Sequence, residues 1–331
     1  MQMVADPAMR LADRWQRDFP LVSRPFARVG AEEGVTENEV IQMIDGLVVD
    51  GRLGRIGATV RPNVMGASTL AAISVPRGRL DEVAAVVSAE ACVNHNYERE
   101  NAINLWFVVT APDKASLAAS LGRIRTRSGL ELLDLPLERA YHIDLGFSLG
   151  GGPKPVSCRA VAAPYPEPDD ADRALVAAIE DGLPLVPRPY AVVAEALGMG
   201  EADVIARIGR LGEAGIVTRF GCILRHRALG FRANAMAVWD VPDEVVDDLA
   251  RDLAIRPEVT LCYRRTRHRP AWPYNLFCMI HGRERGAVSA LVERAARVTG
   301  LARFPSATLF STRCFKQRGA RFSSRQLEGA A

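Results

Sequence analysis

The segment Pro20-Leu21-Val22-Ser23-Arg24-Pro25-Phe26 occurs a second time in the chain, as Pro184-Leu185-Val186-Pro187-Arg188-Pro189-Tyr190. The offset is 164 residues (184 − 20), and Gly51–Gly57 returns as Gly215–Gly221 at the same offset (221 − 57 = 164). Further along, Asn104–Phe107 corresponds to Asn275–Cys278 with a larger offset (275 − 104 = 171). A repeat of this length exceeds one supersecondary unit, so we infer two copies of a whole domain pair.

Each copy begins with helical patterns and continues with a mixed pattern. In the second copy, apolar residues at helical spacing flank the short turn Gly198-Met199-Gly200, which predicts a helix-turn-helix. In the first copy, Thr36 and Glu39 have the spacing of a capping box. The segments that follow have the order β-α-β-β-α-β in both copies. We predict an α+β fold in which a winged helix-turn-helix domain followed by a ferredoxin-like βαββαβ domain occurs twice in tandem.

The predicted domain boundaries follow a stretch between the copies that is rich in glycine and proline, Gly150–Pro168. The predicted segments are helix-turn-helix domain 1 (10–58), ferredoxin-like domain 1 (59–149), a linker (150–169), helix-turn-helix domain 2 (170–222) and ferredoxin-like domain 2 (223–322).

Composition excludes several classes of protein. The chain of 331 residues has a net charge of only +3 and no apolar stretch long enough to span a bilayer. Residues 1–17 contain charges and no apolar core, so we expect no secretory signal, no membrane partner and a cytoplasmic location. The six cysteines have no C-x-x-C spacing, and we expect free, buried thiols and no dedicated metal site.

A helix-turn-helix followed by a ferredoxin-like unit resembles the leucine-responsive, AsnC-type regulators. The second helix of each predicted pair begins with acidic segments, Thr36–Glu39 and Gly200–Asp203. Carboxylates at the end that would enter the major groove are repelled by the phosphate backbone. We therefore predict that the chain does not bind DNA, with a transcriptional regulator as the alternative.

Polar side chains alternate on two corresponding predicted strands. Alternate residues of a strand share a face. The two sets predicted to share a face are His95, Tyr97 and Arg99 in the first copy, and Tyr263, Arg265 and Arg267 in the second. For one strand alone, a polar edge that solvates the sheet is the favoured explanation. Together the strands offer a group that titrates near neutral pH beside fixed positive charge, which suits a ligand with several carboxylates.

A second basic cluster, Arg219–Arg227, follows the second helix-turn-helix and includes His226. The sequence leaves two interpretations open: a solvated connector, or ligand contacts from Arg219 and His226.

Several motifs resemble the sirohaem decarboxylases, which look like AsnC-type regulators but are enzymes. The motifs are His95-Asn96-Tyr97-x-Arg99 with Asn104–Phe107, Cys262–Arg265 with Trp272–Phe277, Arg219–Gly221, and Phe315–Gly319. The resemblance covers nearly the whole chain. It implies a fused enzyme of the haem d1 pathway, with a D-type first half and an L-type second half. It also implies loss of carbon dioxide from the acetate groups at C12 and C18 of sirohaem, which gives 12,18-didecarboxysirohaem. An alternative haem pathway is the other destination.

The chemistry of this reaction assigns roles to the candidate residues. Carbon dioxide loss leaves negative charge that the adjacent pyrrole can accept, so no cofactor is required besides the substrate sirohaem, an iron tetrapyrrole. A proton donor must complete the methyl group, and the candidates are His95, assisted by Tyr97, and His268. The candidate substrate-binding residues are Arg99, Arg219, His226, Tyr263, Arg264, Arg265 and Arg267. Alternatively, His95 or His226 ligates the sirohaem iron.

The two halves are unequal at the proton donor, because Leu261 stands where His95 stands in the first half. We expect one competent site per chain, completed by pairing of the two halves. The sequence leaves open whether the chain also forms a homodimer, and a non-catalytic tetrapyrrole carrier remains a further alternative.

Overall fold

The computed structural model describes residues 6–143, 146 and 167–322. Its α-helices are α1 (Pro7–Arg14), α2 (Pro25–Glu33), α3 (Glu37–Val49), α4 (Leu80–Ala89), α5 (Lys114–Ser128), α6 (Asp170–Ala178), α7 (Pro189–Leu197), α8 (Glu201–Glu213), α9 (Val246–Ala254) and α10 (Arg285–Val298). Its strands are β1 (Leu53–Val60), β2 (Ala67–Ile73), β3 (Val93–Arg99), β4 (Leu105–Ala111), β5 (Leu132–Ile143), β6 (Val217–Leu224), β7 (Ala233–Trp239), β8 (Val259–Arg265), β9 (Leu276–Gly282) and β10 (Ser306–Gln317). Short 3-10 helices occupy Arg77–Arg79 and Leu301–Arg303.

One compact unit, the helical unit, contains the helical parts of both copies: α1 to α3 with β1, and α6 to α8 with β6. Gly34 and Gly198 end α2 and α7 in the left-handed conformation, which costs glycine little because it has no Cβ. The strands β1 and β6 pair with each other in antiparallel fashion, with Gly57 opposite Gly221. The predicted wing is therefore one strand from each copy, joined into one two-stranded sheet.

Carboxylates occupy the start of the second helix in both helix-turn-helix segments. Glu37 forms an ion pair with Arg24, and Glu201 forms the equivalent ion pair with Arg188. Thr36 caps α3 together with Glu39, as the sequence predicts. Acidic side chains at a helix start are stabilised by the helix dipole. The acidic residues behind the prediction that the chain does not bind DNA thus also stabilise these helices, through ion pairs and capping.

The second compact unit, the barrel unit, is a closed antiparallel barrel with strand order β10-β3-β4-β2-β5-β8-β9-β7. Within each copy the order is ferredoxin-like, β5-β2-β4-β3 in the first and β10-β7-β9-β8 in the second. Closure occurs between the copies, because β5 pairs with β8 and β10 pairs with β3. The predicted α+β class and βαββαβ order are confirmed, and the two halves form one continuous sheet without a free edge.

Three hydrophobic clusters hold the barrel unit together. The helices α4 and α5 cover the outer face of the first half, and α9 and α10 cover that of the second. The third cluster fills the interior of the barrel; its buried members are Leu70, Ala72, Trp106, Leu135, Met236, Val238, Tyr263, Trp272, Phe277, Met279 and Leu309. An eight-stranded barrel has an interior about wide enough for side chains or one ligand. Polar residues on its inner face are therefore in a confined, apolar environment.

The predicted boundaries between domains remain predictions. Residue contacts divide the chain into two units, each drawn from both copies, rather than four consecutive domains. The predicted linker lies outside the described residues from 150 to 166, and Asp169 is the N-cap of α6. None of the helices within 6–143 and 167–322 combines the length and apolar character needed to cross a bilayer.

Burial of the cysteines follows the prediction with one exception. Cys92, Cys222, Cys262 and Cys278 are buried free thiols, whereas Cys314 is exposed and corrects the prediction. Cys314 lies on β10, opposite Tyr97 of β3. Cys158 lies outside the described residues.

The two asparagines of the repeated Asn-Leu motif have the same structural role. The Asn104 side chain accepts from the backbone N–H of Val75 at 2.9 Å and donates to its carbonyl oxygen at 2.9 Å. Asn275 makes the equivalent pair of bonds with Val241, both at 3.0 Å. Each asparagine thus holds the segment that follows the first strand of its sheet, β2 or β7.

Replacing Asn275 by alanine is expected to lower the free energy of unfolding by about 1–3 kcal/mol, because it leaves the buried N–H of Val241 without an acceptor. The Val241 carbonyl oxygen loses one donor and keeps the Arg267 guanidinium. Urea denaturation of Asn275→Ala measures this loss. The exposed Asn38 provides the matched control, and Asn38→Ala is expected to change the value by roughly 0.5 kcal/mol or less. An unchanged midpoint for Asn275→Ala would contradict the structural role.

Candidate active site

Three polar side chains of β3 point to the interior of the barrel. The amide of Asn96 donates to the carbonyl oxygen of Ala84 and to the hydroxyl of Ser88, both at 3.0 Å and both on α4. That face of β3 therefore faces the helices, and alternate residues face the other way. The three inward side chains, which we call the β3 row, are His95, Tyr97 and Arg99. The prediction that they share a face is confirmed.

The β3 row is a stack of an imidazole, a phenol and a guanidinium. The ring centroids of His95 and Tyr97 are 6.1 Å apart, with 25° between the planes. The guanidinium carbon of Arg99 lies 5.8 Å from the centroid of the Tyr97 ring. Arg99 is only 7% exposed, and its Nη1 donates to the carbonyl oxygen of Leu309 at 3.1 Å. The row thus places a fixed positive charge two residues from Tyr97 and four from His95.

The corresponding strand of the second half, β8, contributes Tyr263 and Arg265, which we call the β8 row. The guanidinium carbon of Arg265 lies 4.6 Å from the centroid of the Tyr263 ring. Its Nη1 donates to the carbonyl oxygen of Leu135 at 2.6 Å. Burial lowers the pKa of the Arg265 guanidinium and raises the pKa of the Tyr263 phenol. The positive charges of Arg265 and Arg99 oppose that rise, so the two rows act on the same interior region.

Arg267 does not belong to the β8 row, and the prediction that it shares a face with Tyr263 is wrong. The strand β8 ends at Arg265, so the alternation of side chains does not extend to residue 267. The Arg267 guanidinium instead forms ion pairs with Asp240 at 3.1 Å and Asp243 at 2.8 Å. Its charge is compensated within the protein, and a role in substrate binding stays a prediction.

Arg264 lies on the opposite face of β8 from its two neighbours. It forms ion pairs with Glu138 and Asp243, each at 2.8 Å, and a longer one with Asp247 at 3.7 Å. The Arg267 guanidinium and, to a smaller extent, the charge of Arg264 hold the pKa of Asp243 below its usual range. The charge of Arg264 is therefore already paired with carboxylates within the protein.

His268 lies in the loop between β8 and β9 and forms a backbone bridge with Trp272. Its Nε2 is hydrogen-bonded to the carbonyl oxygen of Asp134 on β5. A carbonyl oxygen only accepts, so Nε2 is the protonated nitrogen in this contact. The contact anchors the loop to β5, and the catalytic role of His268 stays a prediction.

Arg219 and His226 belong to the helical unit. Arg219 lies on β6 opposite Thr59 of β1, and His226 lies in the turn after β6. Burial and the nearby positive charge of Arg219 lower the pKa of His226 to about 4. The imidazole is therefore neutral at pH 7, which is the form that can ligate a metal ion.

The depressed pKa of His226 predicts a pH-dependent stability. An unfolded chain binds this proton near pH 6.5 and the folded chain near pH 4, so unfolding takes up a proton between these values. The contribution is present above pH 6.5 and is lost as the pH falls towards 4; between pH 7 and 5 we expect a loss of about 2 kcal/mol. Denaturation of wild type and His226→Gln at both pH values tests this. Parallel losses in the two proteins would contradict it.

Trp272 is not among the site residues that the sequence predicts. This side chain belongs to the interior cluster, and its ring centroid lies 4.8 Å from that of Trp106. It comes from the loop between β8 and β9, where strand alternation makes no prediction. The signal available was its place in the motif Trp272–Phe277.

The sequence of this chain matches two profiles of known protein domains. Residues 65–142 and 228–316 match the profile described as an AsnC-like ligand binding domain. Residues 10–52 and 172–217 match the profile described as a siroheme decarboxylase NirDL-like HTH domain. The siroheme decarboxylase NirDL subunit of Paracoccus denitrificans is 50% identical over 319 residues, which cover 95% of this chain and 97% of that protein. The chain belongs to the siroheme decarboxylase family.

Two further siroheme decarboxylases support this membership. The siroheme decarboxylase of Hydrogenobacter thermophilus is 32% identical over 95% of this chain and 94% of its own length. A crystal structure of siroheme decarboxylase NirDL, in complex with an iron-uroporphyrin III analogue, matches with a TM-score of 0.69 and 30% identity and covers 98% of both chains. The whole tandem arrangement is thus shared with the siroheme decarboxylases.

Proposed function

We propose that this chain is a sirohaem decarboxylase that removes carbon dioxide from the acetate groups at C12 and C18 and yields 12,18-didecarboxysirohaem, in haem d1 biosynthesis. The observation that carries the proposal is the β3 row, in which the imidazole of His95, the ring of Tyr97 and the buried guanidinium of Arg99 stack inside an apolar barrel. Membership of the siroheme decarboxylase family supports the same reaction.

The buried arginines fit the charge of the substrate. Sirohaem is a flat macrocycle with carboxylate side chains, and guanidinium groups bind carboxylates through charge-assisted hydrogen bonds. Arg99 and Arg265 are in an apolar interior, where such an interaction is stronger than in water. Arg264 and Arg267 already have carboxylate partners within the protein. We therefore assign carboxylate binding to Arg99 and Arg265.

His95 is the proposed general acid. When the bond to the carboxyl carbon breaks, its electron pair remains on the methylene and delocalises into the pyrrole, and carbon dioxide leaves. A proton from His95 then completes the methyl group. Tyr97 stacks on the imidazole and restricts its orientation. No cofactor besides the substrate is part of this proposal.

One competent site per chain follows from the inequality of the halves. In the first half, His95 lies opposite Val108 of β4; in the second, Leu261 lies opposite Met279 of β9. An aliphatic side chain cannot donate the proton. Because β3 and β8 belong to one closed barrel, both rows can serve a single substrate. The two acetate groups would then be presented in turn to His95.

An alternative role for a histidine is ligation of the sirohaem iron. His226 is neutral at pH 7, which favours it as a ligand over a charged imidazole. Loss of an axial histidine changes the absorption and electron paramagnetic resonance spectra of the bound sirohaem. Spectra of His95→Ala and His226→Ala complexes therefore assign or exclude each residue as the ligand.

Anaerobic incubation of sirohaem with the purified chain, followed by mass spectrometry, tests the proposed function. We expect loss of two carbon dioxide units from the substrate. Stoichiometric binding and release of unchanged sirohaem would identify a carrier instead. Tight, sequence-specific binding to its own upstream DNA at low salt, without turnover, would identify a regulator.

A further inference from the structure

Trp272 is a buried tryptophan in the loop between β8 and β9. It is 2% exposed and packs in the barrel interior, with its ring centroid 4.8 Å from Trp106 and 4.9 Å from Tyr274. Phe277, which stacks on Tyr263 at 5.7 Å, lies 6.3 Å from Trp272. Trp272 is thus part of the same interior region as the β8 row.

The indole N–H of Trp272 has no hydrogen-bond acceptor among the described residues. The Nε of Arg265 is likewise a buried donor without an acceptor in that part of the chain. The neighbouring Trp106 differs, because its indole N–H donates to the carbonyl oxygen of Ile103 at 2.6 Å. Buried polar groups in proteins are nearly always hydrogen-bonded, and one without a partner needs an explanation.

The loop that contains Trp272 is held at several points. The backbone of His268 exchanges two hydrogen bonds with Trp272, at 2.8 and 2.6 Å. The side chain of His268 contacts Asp134, and Arg267 donates to the carbonyl oxygen of Pro273 at 3.0 Å. These contacts fix Trp272 in the interior. Its donor is therefore presented by a rigid loop rather than by a mobile one.

We propose that Trp272 is a substrate-binding residue whose indole N–H donates a hydrogen bond to a carboxylate oxygen of the tetrapyrrole. Arg265 supplies positive charge in the same interior region and a second donor, its Nε–H. That the ligand is a tetrapyrrole rests on the proposed function. That the ligand supplies a hydrogen-bond acceptor here rests on the two buried donors, the indole N–H of Trp272 and the Nε–H of Arg265. On this view His268 and Arg267 are positioning residues, because they hold the loop.

The test compares Trp272→Phe with Trp106→Phe, using iron-uroporphyrin III as the probe and its absorbance to measure Kd. Both substitutions remove the same atoms from the same cluster, but only Trp272 loses a donor without an internal acceptor. We expect Kd to rise by roughly ten- to a hundredfold in Trp272→Phe, the size of a hydrogen bond to a charged group. We expect a rise of about threefold or less in Trp106→Phe. Equal effects, or no effect in Trp272→Phe, would overturn the proposal.

A measurement on the wild-type chain keeps the proposal testable if a variant fails to fold. With ¹⁵N-indole-labelled tryptophan, the Trp272 resonance is assigned by single substitutions of the other tryptophans, Trp15, Trp106 and Trp239. Addition of metal-free uroporphyrin III is expected to shift the Trp272 indole ¹⁵N resonance as it gains an acceptor. A resonance that is unchanged at saturation would overturn the proposal.

The proposal and the proposed function fail in distinguishable ways. If Trp272→Phe weakens binding as expected but the wild-type chain does not decarboxylate sirohaem, Trp272 remains a ligand contact and the enzyme assignment fails. Full decarboxylation by wild type and by Trp272→Phe, with equal Kd values, would leave the enzyme assignment and remove Trp272 from the site.

Discussion

Replacing His95 by alanine is expected to lower the rate of sirohaem decarboxylation by about 10²- to 10⁴-fold, the range for loss of a general acid. The imidazole is the proposed proton donor of the β3 row, and the aliphatic Leu261 of the second half cannot replace it. Substrate binding is expected to survive, because Arg99 and Arg265 remain. Single-turnover kinetics under anaerobic conditions, with sirohaem binding measured separately, give the two quantities.

A matched control is available in the same barrel. His281 is bound through Nδ1 to the hydroxyl of Thr260 at 2.8 Å and has no assigned role in the reaction. His281→Ala is expected to retain near wild-type rates. A normal rate for His95→Ala would show that His95 is not the general acid. A changed spectrum of bound sirohaem would instead make His95 an iron ligand.

Arg265→Ala is expected to weaken sirohaem binding by roughly ten- to a hundredfold, because a buried guanidinium makes charge-assisted hydrogen bonds of about 1.5–3 kcal/mol each. The adjacent Arg264 offers a sharp comparison, since it lies on the same strand but pairs with Glu138 and Asp243. Arg264→Ala is expected to weaken binding by about fivefold or less. Titration of each variant with sirohaem measures both values.

The opposite order of effects would contradict the assignment of the inner face. If Arg264→Ala lost more affinity than Arg265→Ala, the substrate carboxylates would have to lie on the outer side of β8. Unfolding midpoints of both variants show whether either loss reflects a disturbed fold.

The elements of the fold could be predicted because their signals are local. The capping box of Thr36 and Glu39 and the βαββαβ order each depend on neighbouring residues. Closure of the barrel depends on pairing between distant ones: Ile143 of β5 lies opposite Leu261 of β8, 118 residues later (261 − 143). The residue pattern of one strand does not indicate which distant strand it pairs with.

The candidate site could be predicted as far as the strands extend. Alternation places His95, Tyr97 and Arg99 on one face because β3 runs through all three. It fails for Arg267 because β8 ends two residues earlier, at Arg265.

Ion pairing sets a second limit on prediction. Arg264 and Arg265 are chemically identical in the sequence, but only the structure brings Glu138, 126 residues away (264 − 138), to Arg264. Loop residues set a third limit, since Trp272 enters the interior without any periodic signal. Partners and loop paths are properties of the fold rather than of local sequence.

The position of a bound tetrapyrrole tests the central claim most directly. A crystal structure of this chain with iron-uroporphyrin III is predicted to place the macrocycle against the inner faces of β3 and β8. In that position, carboxylates would be within hydrogen-bond distance of Arg99 and Arg265. A macrocycle bound away from both strands would contradict the account.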